Sequence, residues 1–214
     1  IKDLIQKNKI GKIYYIKVTI KQYRNVPIHS KVFSDKTKSG GGPLIDLGSH
    51  YFDLACWFLN FPKIKSITAN NFNNLVKMSK IVKRYLPFEK FSNEEFTTGI
   101  INFKNKSTIN FEISYLLNVK QNLREIEIYG EKGSIFWPNG NIFFENRNNK
   151  LQKQKIKKIS RDKASQLQVD HFVSVVSKQK TQMIKLSESN YVTELIDNLY
   201  KSANLGMGIK IEKS

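Results

Sequence analysis

Residues 40–53 read Gly-Gly-Gly-Pro-Leu-Ile-Asp-Leu-Gly-Ser-His-Tyr-Phe-Asp. Three consecutive glycines, Gly40, Gly41 and Gly42, free the backbone for shapes, and for a close ligand approach, that side chains block. Asp46 and His50 are four apart, so on a helix they share one face about one turn apart. A carboxylate in a first helical turn is favoured by the helix dipole; beside an imidazole it can orient the ring and raise its basicity. Gly48 stands between them at a cost of about 1 kcal/mol of helix propensity relative to Ala, which predicts a close approach at that turn. A bared loop leading into an Asp–His pair has the form of a general acid–base site. Two other readings stay open. Asp46 and His50 can be a plain surface pair. Asp46, His50 and Asp53 also fall near one helical face as metal ligands would, but no second histidine cluster or cysteine ligand supports a metal, and none is expected. His29 and His171 are read as structural or solvent-facing.

The elements that must position this stretch follow from periodicity. Residues 13–20 alternate, with Ile16, Val18 and Ile20 on one side and Lys17, Thr19 and Lys21 on the other, which predicts a half-buried strand. From Leu44 to Asn60 the period becomes helical, with Leu47, Tyr51, Leu54 and Phe58 on one stripe, and Pro62 closes the element. Ile64–Ala69 reads as a strand and 70–93 as a polar loop with some local order. Strand signals then crowd together. Phe96–Phe103 and Thr108–Ser114 flank the polar turn Lys104-Asn105-Lys106. Glu125–Tyr129 leads through Gly130–Gly133 into Ser134–Trp137, and Asn139-Gly140 is a strong hairpin signal. Ile142–Glu145 and Leu151–Ile159 complete the series, with Lys153, Lys155 and Lys157 protecting an edge. The last third is helical. Val169, Phe172, Val173 and Val176 form one apolar face; Val192, Leu195, Ile196, Leu199 and Ala203 form another, with Ser187 or Ser189 as N-cap and Gly206 as the stop. The sum is an α+β fold, a mostly antiparallel open sheet with helices on one face.

Composition narrows the function classes. The 214 residues carry 36 basic and 18 acidic side chains, a formal charge of +18. Only five of the basic residues are arginine, the residue best suited to bidentate base and phosphate recognition. The abundant lysine, asparagine and isoleucine point to compositional drift, and nucleic-acid binding is not expected. A lone Cys56 excludes a disulfide framework and fits a reducing, cytoplasmic setting. The longest apolar run, near Leu54–Phe61, is far short of the ~20 residues of a membrane span. No charged-then-apolar leader opens the chain, and residues 1–11 read as the tail of a helix, so the chain is expected to be the rear part of a longer protein.

At these residues the chain resembles the C-terminal domain of the glucose–fructose oxidoreductase / inositol dehydrogenase / MocA (Gfo/Idh/MocA) family. The family pattern of a glycine run followed by Leu-x-Asp-x-Gly-x-His-x-x-Asp is matched by Gly40–Gly42, Leu44, Asp46, Gly48, His50 and Asp53. Gly11-Lys12-Ile13 resembles the crossover into the first sheet strand. Residues 102–114 resemble the central hairpin, 129–134 its following turn, and 166–176 with 194–203 the closing helices. Members normally begin with a Rossmann domain, and residues 1–214 contain neither its glycine fingerprint nor the family's Glu-Lys-Pro motif.

The resemblance implies that residues 12–214 form the substrate and oligomerisation domain of an NAD- or NADP-dependent dehydrogenase. Its substrate would be a secondary alcohol of a sugar, cyclitol or nucleotide sugar. His50 would be the general base, and Asp46 would orient it or bind an adjacent hydroxyl. Lys38 and Gly40–Gly42 would border the nicotinamide, and Arg24 and Tyr115 would contact substrate. A homodimer or homotetramer through the sheet is implied, with residues such as Ile126 and Ile128 supplying the interface. The 214-residue chain alone is expected to be inactive. The alternative is a non-catalytic, dinucleotide-sensing regulator or protein-interaction scaffold of the same fold; the retained Asp46–His50 pair argues against it.

Overall fold

A computed structural model describes residues 1–27, 31–78, 80, 91–146, 148 and 150–211; His29 lies outside them. The alternation at the start of the chain becomes β1 (Ile13–Lys21), in which Ile16, Val18 and Ile20 are fully buried. Burying each such side chain is worth about 1.5–3 kcal/mol. The other strands are β2 (Ile64–Phe72), β3 (Phe96–Phe103), β4 (Thr108–Ser114), β5 (Leu123–Gly130), β6 (Gly133–Trp137), β7 (Asn141–Glu145), β8 (Leu151–Lys155) and β9 (Ile209–Lys210). They form one nine-stranded sheet in the order β8-β7-β6-β5-β1-β4-β3-β2-β9. Among the described strands only β1 and β4 run parallel, with Val18 opposite Phe111; on its other side β1 pairs antiparallel with β5, Val18 opposite Ile126. The first strand therefore sits in the middle of the sheet, and the rest of the chain is built outward from it.

Among the described residues the helices are α1 (Lys2–Gln6), α2 (Lys36–Ser39), α3 (Pro43–Asp46), α4 (Gly48–Leu59), α5 (Asn74–Met78), α6 (Arg161–Val176) and α7 (Leu186–Leu205), with a 3-10 turn at Lys31–Ser34. Helices α4 and α7 pack on the apolar face of the sheet. The expected single helix over 44–60 is broken at Leu47 into α3 and α4. Of the expected stripe Phe58 is buried, but the rest of the buried face is rotated from it, to Gly48, Phe52, Ala55, Cys56 and Leu59. Small residues at 48 and 55 let the helix come down on the sheet, where Phe52 meets Phe111 edge-on at 5.0 Å. The bulkier Tyr51 turns to the flank against Trp137.

Helix α7 buries Val192, Leu195, Ile196 and Leu199 as expected and ends at Gly206 in the left-handed region, φ 65°. It starts earlier than expected, with Lys185 at the N-cap, whose amide donates to Glu188 Oε2 at 2.9 Å. Ser202 accepts from the Ala69 amide and donates to the Met207 carbonyl, tying the helix to β2.

Three further expectations are corrected. Ile126 and Ile128 are fully buried in the hydrophobic core, so they cannot supply a sheet-face interface. Their neighbours Glu125, Glu127 and Tyr129 take the open face, because side chains alternate along a strand. Strand β8 stops at Lys155 and is exposed throughout. Helix α6 forms, capped by Ser160, yet none of its residues is buried. Val169, Phe172, Val173 and Val176 are all more than half exposed. Among the described residues no helix is long and apolar enough to cross a membrane.

Candidate active site

The glycine run lies between two short helices. Asp35 caps α2 by accepting from the Thr37 amide and hydroxyl, which holds its carboxyl below the usual range. Gly40 ends that helix at φ 78°, a left-handed conformation that favours glycine. Lys38 is exposed, its Nζ 3.7 Å from Asp35 Oδ2. Gly41 and Gly42 are glycines for a different reason. A Cβ on Gly41 would stand 1.9 Å from the Tyr200 hydroxyl, and one on Gly42 would stand 2.2 Å from the Glu94 carbonyl oxygen. The chain's own side chains and backbone fill the space that the absent side chains leave. At Gly48 a Cβ would come within 3.1 Å of Ile113 Cδ1, so the close approach expected there is that of helix to sheet.

Glu94, just before β3, was not among the expected site residues. Its Oε1 accepts from the Gly42 amide at 2.8 Å, the Leu44 amide at 3.3 Å and the Tyr200 hydroxyl at 2.7 Å. The neighbouring Asn93 Nδ2 donates to the Phe33 carbonyl and to Ser39 Oγ, holding the other end of the loop. An acidic pair, Glu94-Glu95, at the start of a strand was the available signal, but nothing in the sequence linked it to Gly42. Tyr200, about 160 residues downstream, was equally out of reach.

Asp46 closes α3, and its Oδ2 accepts from the Tyr115 hydroxyl at 2.5 Å. Tyr115, at the end of β4, is 1% exposed; burial first and the Asp46 bond second push its phenol far above the usual range. The structure thus brings Asp46 and Tyr115 together. No hydrogen bond joins Asp46 to His50: the break at Leu47 separates them, and His50 is exposed. His50 instead lines a cleft of about 420 Å³ between α4 and α7, with Ile45, Ser49, Asp53, Ser189, Val192, Thr193, Ile196 and Asp197. Burial raises the Asp53 carboxyl above its usual range, Glu188 adds to this, and His50 partly offsets it. Arg24 donates to the Tyr23 carbonyl and to Asn118 Oδ1 and lies over the Tyr23 ring, outside this cleft. Among the described residues, no group of three His, Cys, Asp or Glu is placed to hold a metal.

Such a cleft can take a polyhydroxylated molecule. Its lining combines the hydroxyls of Ser49, Ser189 and Thr193, the carboxylates of Asp53 and Asp197, the apolar Ile45, Val192 and Ile196, and the His50 imidazole.

Comparison with known proteins bears on the family and the fold. Residues 2–211 match the family described as the oxidoreductase family, C-terminal alpha/beta domain. D-glucoside 3-dehydrogenase of Escherichia coli (strain K12) is 26% identical over 215 residues, spanning 99% of this chain and 60% of that protein. Levoglucosan dehydrogenase in complex with NADH superposes with a TM-score of 0.80 at 15% identity, over all of this chain and 62% of that one. An oxidoreductase domain protein from Kribbella flavida gives 0.78 at 16% identity, over 99% of this chain and 62% of that one. Levoglucosan dehydrogenase has also been solved with NADH and L-sorbose and with NADH and levoglucosan. The chain spans about 60% of the length of the relatives it matches.

Proposed function

The chain belongs to the Gfo/Idh/MocA oxidoreductase family, whose C-terminal alpha/beta domain it matches over residues 2–211, and on that premise we propose that it is the substrate-binding half of an NAD(P)-dependent sugar dehydrogenase. The alcohol oxidised is a secondary carbinol of a sugar, cyclitol or nucleotide sugar. The observation that carries the reading is His50, exposed on the wall of a cleft lined with hydroxyl and carboxylate side chains. The relatives named for glucoside and levoglucosan oxidation support the substrate class.

His50 accepts the hydroxyl proton of the carbinol as its C–H bond releases hydride and the C–O bond becomes a carbonyl. Asp46, anchored by Tyr115, presents its remaining lone pairs to the neighbouring substrate hydroxyl. Ile45, Val192 and Ile196 exclude water from the carbinol face. When bound, NAD or NADP supplies the hydride acceptor. Gly40 and Lys38, both exposed, would border the dinucleotide, and the glycine turn that grips its phosphates would belong to a domain outside residues 1–214. For that reason the chain alone is inactive. Dimerisation or tetramerisation uses the open sheet face, where Tyr15, Tyr129, Phe136 and Phe143 form a run of ring contacts.

The test is oxidation of a panel of glycosides, anhydrosugars and cyclitols by the enzyme carrying its dinucleotide-binding domain, with NAD and NADP supplied separately. Reduction of either dinucleotide by at least one polyol is expected. An enzyme that binds dinucleotide yet turns over none of them overturns the dehydrogenase reading in favour of a sensor.

A further inference from the structure

Glu94 Oε1 accepts three hydrogen bonds, while its second oxygen, Oε2, is buried without a partner, as is Asn93 Oδ1. A buried carboxylate with half its capacity unused loses hydration without full compensation. Stability alone is therefore a poor account of this side chain. What its three bonds accomplish is specific. Two fix the first amides of α3, where a chain of glycines has the most conformational freedom to lose. The third runs to α7, the helix whose Val192, Thr193 and Ile196 form the far wall of the cleft. The Asp46 amide donates to the Gly42 carbonyl at 3.1 Å, so a displacement at Gly42 is passed directly to Asp46 and on into the turn bearing His50.

We propose that Glu94 is a positioning residue of the active site: braced by Tyr200, it sets the glycine loop and holds the His50 wall of the cleft in register with α7. The proposal rests on the assignment of His50 made above. Tyr200 is shaped for this task. Its ring lies under Lys36 Nζ, and its hydroxyl occupies the space that forces glycine at position 41. Burial first, and then the Glu94 charge, push its phenol far above the usual range, so it remains a donor throughout the working pH range.

Glu94→Ala, Glu94→Gln and Tyr200→Phe test the proposal through two readouts. In the 214-residue chain, amide hydrogen exchange at Gly42 and Leu44 is compared with that at Ile109 in β4. Glu94→Ala accelerates the loop amides roughly tenfold or more relative to Ile109, and Glu94→Gln, which keeps an acceptor oxygen, restores them. In the enzyme with its dinucleotide-binding domain, Glu94→Ala lowers kcat roughly 10- to 100-fold with the dinucleotide KM unchanged, Glu94→Gln recovers to within about threefold, and Tyr200→Phe shows a smaller loss in the same direction. Loop amides that stay protected in Glu94→Ala overturn the clamp. Freed amides with unchanged kcat overturn the positioning role and leave His50 untouched. A fully active His50→Ala is a different failure, that of the site assignment itself. Should Glu94→Ala not fold, Tyr200→Phe decides, because it keeps the ring and removes only the brace; a kcat equal to wild type then overturns the proposal.

Discussion

The carboxylate of Asp46 is bound by the hydroxyl of Tyr115 at 2.5 Å, across 69 residues of sequence, and not by His50, four residues away. The acid of the expected Asp–His pair is thereby anchored to the end of β4, while the imidazole faces the cleft. Removing the donor isolates the value of this bond. Tyr115→Phe keeps the buried ring and leaves Asp46 short of one partner, so unfolding by urea should show a loss of about 1.5–3 kcal/mol, the range for a hydrogen bond to a charged group. A midpoint equal to wild type would mean that Asp46 is satisfied without Tyr115.

His50→Ala removes the proposed proton acceptor from an exposed position and should leave the fold intact. Turnover of the enzyme with its dinucleotide-binding domain should fall by ~10²–10⁴, with dinucleotide affinity preserved. Steady-state kinetics beside a dinucleotide titration decide it, and turnover within about threefold of wild type would sink the assignment.

Glu95 sets a pH dependence of stability. Its carboxylate accepts from the Leu75 and Val76 amides, yet burial outweighs them and raises its pKa. A raised value means that the fold favours the protonated acid. Its contribution is complete below the ordinary glutamate value of about 4.3 and is lost as pH rises through the folded value. The stability of wild type relative to Glu95→Gln should therefore decline as pH climbs from about 4 towards 7. Asp53 and Glu125 shift in the same direction, so the difference between the two proteins is the quantity to follow by urea midpoints. A gap that is flat with pH, or that widens in favour of wild type, refutes the sign.

The two C-terminal helices should respond differently to the same kind of substitution. Leu195 on α7 is fully buried, whereas Phe172 on α6 is 67% exposed. Leu195→Ala should cost about 2–5 kcal/mol. Phe172→Ser should change stability by no more than about 0.5 kcal/mol. Thermal or urea unfolding of both variants reads this directly; a Phe172→Ser cost similar to that of Leu195→Ala would show α6 packed in solution.

Much of the architecture was legible because side-chain periodicity is a local property. Alternation located β1 and β5, two strand-like runs around a polar turn located β3 and β4, the spacing of Val192, Leu195, Ile196 and Leu199 located α7, and Asn139-Gly140 located a hairpin in which Gly140 takes φ 75°. Periodicity failed where the same pattern admits two partners. The apolar face of α6 has helical spacing, yet nothing among the described residues covers it. Ile126 and Ile128 alternate as a strand must, but alternation alone does not say which side of the sheet receives the helices.

The sequence by itself determined the family, the sheet-and-helix composition and the pairing of a glycine run with Asp46 and His50, since each is written in residue type and short-range spacing. Only the tertiary structure decided what surrounds them. It placed Tyr115 on Asp46, Glu94 and Tyr200 on the glycine loop, and His50 opposite the wall of α7. These partners lie between about 50 and 160 residues apart in the chain and meet only because β1, β3 and β4 bring distant segments side by side in one sheet. The glycines record that difference. Their presence was plain from the sequence, but the reason for Gly41 and Gly42, a phenol and a strand-end carbonyl in the places where side chains would stand, exists only in the folded chain.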